Sequence, residues 1–214
     1  MITLDKEITK IGGWSTIFTI KGECCRCAKV LAPHRRYKGA FPDPAMIARK
    51  KYGIEDMLQY ELDNYHFLMA HVPEELKSHF VTIEDIQTSA CGRKALVMEL
   101  VTDDTGGVAK NLDANTRPLS QAFFQTLERI RRDVLLRHDI DHFGIACRNI
   151  LVRNQDSPVL IDFQNSAKRH RGQFWLKLPF FIRRKITRKF QRVYRDLGVP
   201  DFTKAPGIED IVLP

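Results

Sequence analysis

Over the first hundred residues apolar and polar positions alternate in short runs. EITKI (7–11), STIFTI (15–20) and ECCRCAKVL (23–31) are rich in β-branched and apolar residues, broken at Gly12-Gly13 and Lys21-Gly22, and predict a three-stranded antiparallel meander. Pro33, Gly39, Pro42 and Pro44 then interrupt regular structure. Between Ala45 and Ala70 the period lengthens. Met57, Leu58, Leu62, Tyr65, Leu68 and Met69 fall at helical spacing, and Glu61 is set into the same pattern. VTIEDIQTS (81–89) and KALVMELV (94–101) return to strand character on either side of a turn at Ala90-Cys91-Gly92.

The polar run TDDTGG (102–107) marks a change of character. Beyond it Phe123, Phe124, Leu127, Ile130, Val134 and Leu135 trace one buried helical face between Ser120, a candidate N-cap, and Arg137. Two short apolar runs, 149–152 and 158–161, flank a polar turn and predict a hairpin. Ile182, Ile186, Phe190, Val193 and Leu197 then recur at steps of four, four, three and four, which is a second helical stripe. Strands first and helices later predict an α+β fold, with a sheet-bearing part at residues 1–101 and a helical part at 102–214.

A chain of 214 residues buries roughly 70% of its unfolded surface and needs no metal or disulfide staple. Apolar residues at 43%, charged residues at 28%, and only 22 Gly plus Pro exclude a disordered or collagen-like chain. MITLDKEITK has no apolar core behind its charges and no later apolar run nears the ~18 residues of a membrane span, so neither a secretion signal nor a crossing helix is expected. Cys24, Cys25, Cys27, Cys91 and Cys147 are odd in number and lack a framework spacing, which suits reduced thiols in a cytoplasm. The Cys24-Cys25-x-Cys27 cluster has no second knuckle to complete a zinc site, so it reads as small apolar residues on a strand.

Charge changes the picture more. The formal charge is +8, yet eleven Lys or Arg and no acid lie between Asn165 and Arg195, leaving 23 basic against 26 acidic residues elsewhere. The basicity belongs to one segment. Its helical stripe either packs on the rest of the chain or, with Phe174, Trp175, Leu178, Phe180 and Phe181 as anchors, lies on an anionic membrane surface through residues 174–197. Nucleic acid is disfavoured as a partner because no recognised binding motif accompanies the charge.

Candidate chemistry lies in the loop His142-Phe-Gly-Ile-Ala-Cys-Arg-Asn149-Ile-Leu-Val152 and in Val159-Leu-Ile-Asp162-Phe163. An amide oxygen and a carboxylate at the two ends of one hairpin can both reach a hard cation such as Mg²⁺. Upstream, Cys27-Ala-Lys29-Val30 ends a strand in lysine, Glu61 lies on the following helix, Gly12-Gly13-Trp14-Ser15 precedes a strand, and Leu96-Val-Met98-Glu99-Leu-Val101 closes the sheet. In this order the motifs resemble the protein-kinase-like fold, specifically the PhoP regulatory network protein (YrbL) family and, more distantly, bacterial kinases of lipopolysaccharide core sugars, over about residues 7–165.

The resemblance implies a two-lobed fold with a small, truncated C-lobe, and a nucleotide and sugar-acceptor site binding ATP and Mg²⁺. Lys29 would hold the phosphates and Glu61 would hold Lys29. Asn149 and Asp162 would bind the metal. Gly12, Gly13 and Ser15 would let backbone amides approach phosphate, while Met98, the Glu99 carbonyl and the Val101 amide would face adenine. The implied activity is phosphoryl transfer to a hydroxyl of a sugar or lipid-linked sugar; the reduced cysteines and the basic segment add the expectation of a cytoplasmic protein, placed peripherally on the inner membrane face where that segment meets lipid. One position departs from the pattern. Gly144 stands where kinases carry the aspartate that accepts the hydroxyl proton, with Asp141, Asp139 or His142 as substitutes. The same departure suits a pseudokinase, a nucleotide-binding or regulatory interaction module without turnover.

Overall fold

The structure, a computed structural model, describes residues 1–9, 15–31, 54–140, 144–154, 157–164 and 178–199. It is an α+β fold. Five strands form one antiparallel sheet in the order β1-β2-β3-β5-β4: β1 (Leu4–Thr9), β2 (Ser15–Ile20), β3 (Arg26–Leu31), β4 (Ile83–Thr88) and β5 (Lys94–Glu99). The first three are the expected meander. β5 then enters beside β3, with Lys29 opposite Leu96 and Cys27 opposite Met98, so the later hairpin turns its second strand inward. Gly92, at φ 77°, makes the left-handed turn of that hairpin without the backbone strain that this φ imposes on other residues.

Strand alternation separates the two faces of the sheet. Ile2, Ile20, Ala28, Val30, Ala95 and Val97 form one apolar cluster, capped by Leu4 and Phe18. Cys27 and Lys29 point to the opposite face because successive side chains on a strand do. Helix α1 (Met57–Met69) opens at Asp56, whose Oδ1 accepts the amides of Leu58 at 3.0 Å and Gln59 at 3.2 Å.

The chain divides into two compact units, one of residues 1–63 and 82–100, the other of 64–81 and 101–214. This differs from a single cut near Val101. Residues 64–81 join the helical unit because their hydrogen bonds run there: the Val81 amide donates to the Leu160 carbonyl at 3.0 Å, and the His79 ring contacts the Pro158 carbonyl at 3.1 Å.

In this second unit helix α2 (Gln121–Arg129) begins at Ser120, whose Oγ accepts the Phe123 amide at 3.2 Å as expected of an N-cap. It does not run on as an α-helix to Arg137. Ile130–Leu136 widens into π geometry, and the Arg137 amide reaches back to the Arg132 carbonyl. β6 (Ile150–Arg153) and β7 (Ser157–Leu160) form the expected hairpin, flanked by Lys110 on one edge and by Phe80 and Val81 on the other. Helix α3 (Pro179–Asp196) buries Ile182, Ile186, Phe190, Val193 and Tyr194. That apolar stripe is therefore core of the second unit, the first of the two expected placements. Cys24 and Cys25 are also corrected, because both are exposed in the turn before β3 and only Cys27 is buried on the strand. Among the described residues no helix is long and apolar enough to cross a membrane.

Candidate functional site

In the sheet unit, Lys29 occupies a position that alternation turns toward α1. Its Nζ donates to Glu61 Oε1 at 2.7 Å, and the two side chains are 8% and 2% exposed. Glu61 can reach it because it shares the helical stripe of Leu58, Leu62 and Tyr65, the side of α1 that is buried. Glu55, the acidic residue just before the helix, is exposed. A pair taken so far out of water stabilises little by itself compared with an apolar replacement, which makes it a candidate for chemistry.

Met98, on the same sheet, is buried between Cys27 and Ile83 in register. The Glu99 amide donates to the Thr82 carbonyl at 2.8 Å, and the Glu99 carbonyl accepts the Cys27 thiol at 3.4 Å. Burial, with the Glu99 charge beside it, pushes the Cys27 thiol up to about 12, so at neutral pH it is a protonated donor. A carbonyl with two lone pairs can accept a further donor. Ser15, expected in a glycine-rich turn, is already in β2 opposite Leu31. Gly12 and Gly13 lie outside the described residues.

In the helical unit the neck of the hairpin brings two side chains together. The Asn149 carbonyl accepts the Ile161 amide at 3.0 Å, which aligns the residues before β6 with those after β7. Asn149 Nδ2 then donates to the Gly144 carbonyl at 2.8 Å and lies 3.4 Å from Asp162 Oδ2. Both amide protons are thereby committed, so the atom Asn149 would offer a cation is Oδ1. Asp162 has φ 69°, a left-handed conformation that costs a non-glycine residue about 1–3 kcal/mol and gathers at functional sites.

Asn64 on α1 clamps the chain just beyond Asp162. Fully buried, it donates from Nδ2 to the Phe163 carbonyl at 3.1 Å and the Gln164 carbonyl at 3.2 Å, while Tyr65 packs its ring on Phe163 at 5.3 Å. Sequence reasoning passed over this residue. Its signal was an amide inside an apolar helical stripe, which burial permits only with partners in place.

Of the substitute bases for Gly144, Asp139 is engaged by Arg183, whose Nε donates to Oδ1 at 2.8 Å. Asp141 and His142 lie outside the described residues. No group of three or more His, Cys, Asp or Glu suited to a metal ion occurs among the described residues. An Asn and Asp pair nevertheless fits Mg²⁺, which keeps waters and phosphate oxygens as most of its ligands and asks the protein for one or two. Both the protein-family models and the curated proteins were compared with this chain, and none matches it. Val101, on the helical unit's side of the division, accepts the Ala109 amide at 2.9 Å through its carbonyl.

Proposed function

We propose that this protein is an ATP- and Mg²⁺-dependent phosphotransferase of the protein-kinase-like, two-lobed fold with a truncated second lobe, acting on a hydroxyl of a sugar or lipid-linked sugar. The observation that carries the reading is the buried Lys29–Glu61 pair, a lysine on the strand and a glutamate on the helix where the resemblance expects them. The juxtaposed Asn149 and Asp162 agree with it. Bound Mg²⁺ neutralises phosphate charge during transfer. Lys29, kept in place by Glu61, orients phosphate oxygens. Asp162, held in its strained conformation by the Asn64 clamp behind it, supplies a carboxylate to the cation beside Asn149 Oδ1.

Gly144 favours the second reading, a pseudokinase that binds nucleotide and acts by regulation. Phosphoryl transfer depends mainly on positioning and metal electrostatics, whereas a general base contributes about 10²- to 10⁴-fold, so its loss slows turnover without forbidding it. Thermal unfolding with Mg-ATP tests the common part of both readings. At a hundredfold excess over Kd the nucleotide should stabilise by about 2.7 kcal/mol, and Asp162→Ala should remove the metal-dependent part. No shift with millimolar Mg-ATP sinks the phosphotransferase and the nucleotide-binding pseudokinase, and leaves only a regulatory interaction module. Labelled-phosphate transfer to sugar acceptors, lost in Asp162→Ala, separates enzyme from pseudokinase.

A further inference from the structure

Helix α3 has two faces, and its packing uses one of them. Opposite the buried Ile182, Ile186, Phe190 and Val193 run Phe181, Arg184, Arg188, Arg192 and Arg195, at steps of three, four, four and three, all exposed. Arg183 is set aside from this row by its ion pair with Asp139, and Lys185 and Lys189 are half-buried on the flank. The one acidic side chain of the helix, Asp196, is exposed at the C-terminal end of the row, four residues beyond Arg192. At the N-terminal end of the row Leu178, Phe180 and Phe181 are 53%, 65% and 42% exposed. The two phenyl rings meet edge to face with centroids 5.6 Å apart. Half of the large apolar side chains exposed among the described residues are thus gathered into four consecutive positions beside a row of arginines.

We infer that this outer face docks on an anionic phospholipid bilayer. A guanidinium gives two parallel hydrogen bonds to phosphate oxygens and is weakly hydrated, so four of them spaced over ~16 Å of helix suit a plane of phosphate headgroups. The exposed Leu178, Phe180 and Phe181 need an apolar medium in the same place, and a lipid interface supplies it directly below the phosphates. A nucleic-acid backbone satisfies the arginines and leaves those three side chains in water. The inference stands apart from the nucleotide reading, since none of its residues belongs to that site.

Sedimentation of the full chain with vesicles of phosphatidylcholine, with and without phosphatidylglycerol, tests it across a salt series. Retention is expected on the phosphatidylglycerol vesicles alone and should weaken as salt screens the arginines. A single Arg188→Gln should weaken it about fivefold, and the quadruple change of Arg184, Arg188, Arg192 and Arg195 to Gln should abolish it. Phe180→Ser with Phe181→Ser should weaken it more than tenfold, the outcome expected if the rings enter apolar lipid. These side chains are exposed, so the variants should keep the wild-type melting temperature, measured alongside. The idea is overturned if anionic vesicles fail to retain the wild type at low salt, or if the quadruple variant is retained equally well. Duplex DNA or RNA binding that depends on the arginines, combined with vesicle retention indifferent to the Phe replacements, would assign the face to nucleic acid instead.

Discussion

In the sheet unit a buried glutamate, Glu61, meets a lysine 32 residues away on a strand; in the helical unit a buried glutamate, Glu128, meets Arg131 three residues along its own helical run. Exposure hardly separates the pairs, at 8% and 2% against 5% and 0%. Their construction does. Arg131 Nε lies 3.0 and 2.8 Å from the two Glu128 oxygens and its NH2 group bonds the same carboxylate, so one edge of the planar fork is fixed on its partner. That pair forms with its own helical turn and serves to neutralise a charge under Tyr194, whose phenol is pushed up by burial and by the Glu128 charge. Lys29 is an ammonium with three protons and no fixed plane, which can be held by one oxygen and still face a phosphate. It exists as a pair only when sheet and helix are docked. Equal burial therefore goes with two different constructions.

The largest effect should come from breaking the local pair. Glu128→Ala leaves a buried guanidinium that cannot shed its charge, and should cost about 3–5 kcal/mol. At about 2–4 °C per kcal/mol for this chain length, calorimetry should show a fall near 10 °C. The double replacement Glu128→Leu with Arg131→Met should recover most of it, and the response to Mg-ATP should persist in whatever fraction folds.

Lys29→Met should cost less, under about 3 kcal/mol, because the stranded Glu61 carboxyl can take up a proton. Its mark is functional: the stabilisation by Mg-ATP should vanish, and Lys29→Met with Glu61→Leu should restore stability while leaving nucleotide binding absent. If the double variant still responds to Mg-ATP, the contrast between the two pairs collapses.

Asn64→Ala leaves the Phe163 and Gln164 carbonyls without their donor and should cost about 2 kcal/mol. Should Asn64 hold Asp162 in position, the Mg²⁺ concentration giving half of the nucleotide-induced stabilisation will also rise, an effect that a purely structural amide would not produce.

The smallest effect concerns Asp56. Burial pushes its carboxyl up, but the Lys94 ammonium at 2.8 Å and the amides of Gln59 and Leu58 outweigh this and hold it below the usual range. A depressed folded value means stability present above about pH 3.9, the unfolded value, and lost as pH falls through the folded one. With Lys94 67% exposed, screening limits the gain to a few tenths of a kcal/mol. Asp56→Asn keeps the helix cap, so comparing its acid unfolding with wild type isolates the charge. The half-exposed pair should matter far less than either buried one.

Much of this was legible in the residue pattern, because periodicity is local. The meander, the β4–β5 and β6–β7 hairpins, the Ser120 cap and the stripe of α3 each rest on residues within one turn or one hairpin. The pairing of Lys29 with Glu61 was expected from the family resemblance, the helical pattern placing Glu61 beside Leu62 and Tyr65. The Glu128–Arg131 pair and the Asn64 clamp carried the same kind of signal, a polar residue in a buried stripe, and went unread because a helical wheel shows that a face is buried without showing what covers it.

The sequence by itself determined which residues form strands and helices and which faces are apolar, since both follow from side-chain spacing along a single element. Only the tertiary structure decided that β5 lies between β3 and β4, that residues 64–81 belong with the helices, and that the stripe of α3 is core while its arginine row faces outward. Those outcomes depend on hydrogen bonds and packing between segments far apart in the chain, whose pairing energies no local pattern encodes.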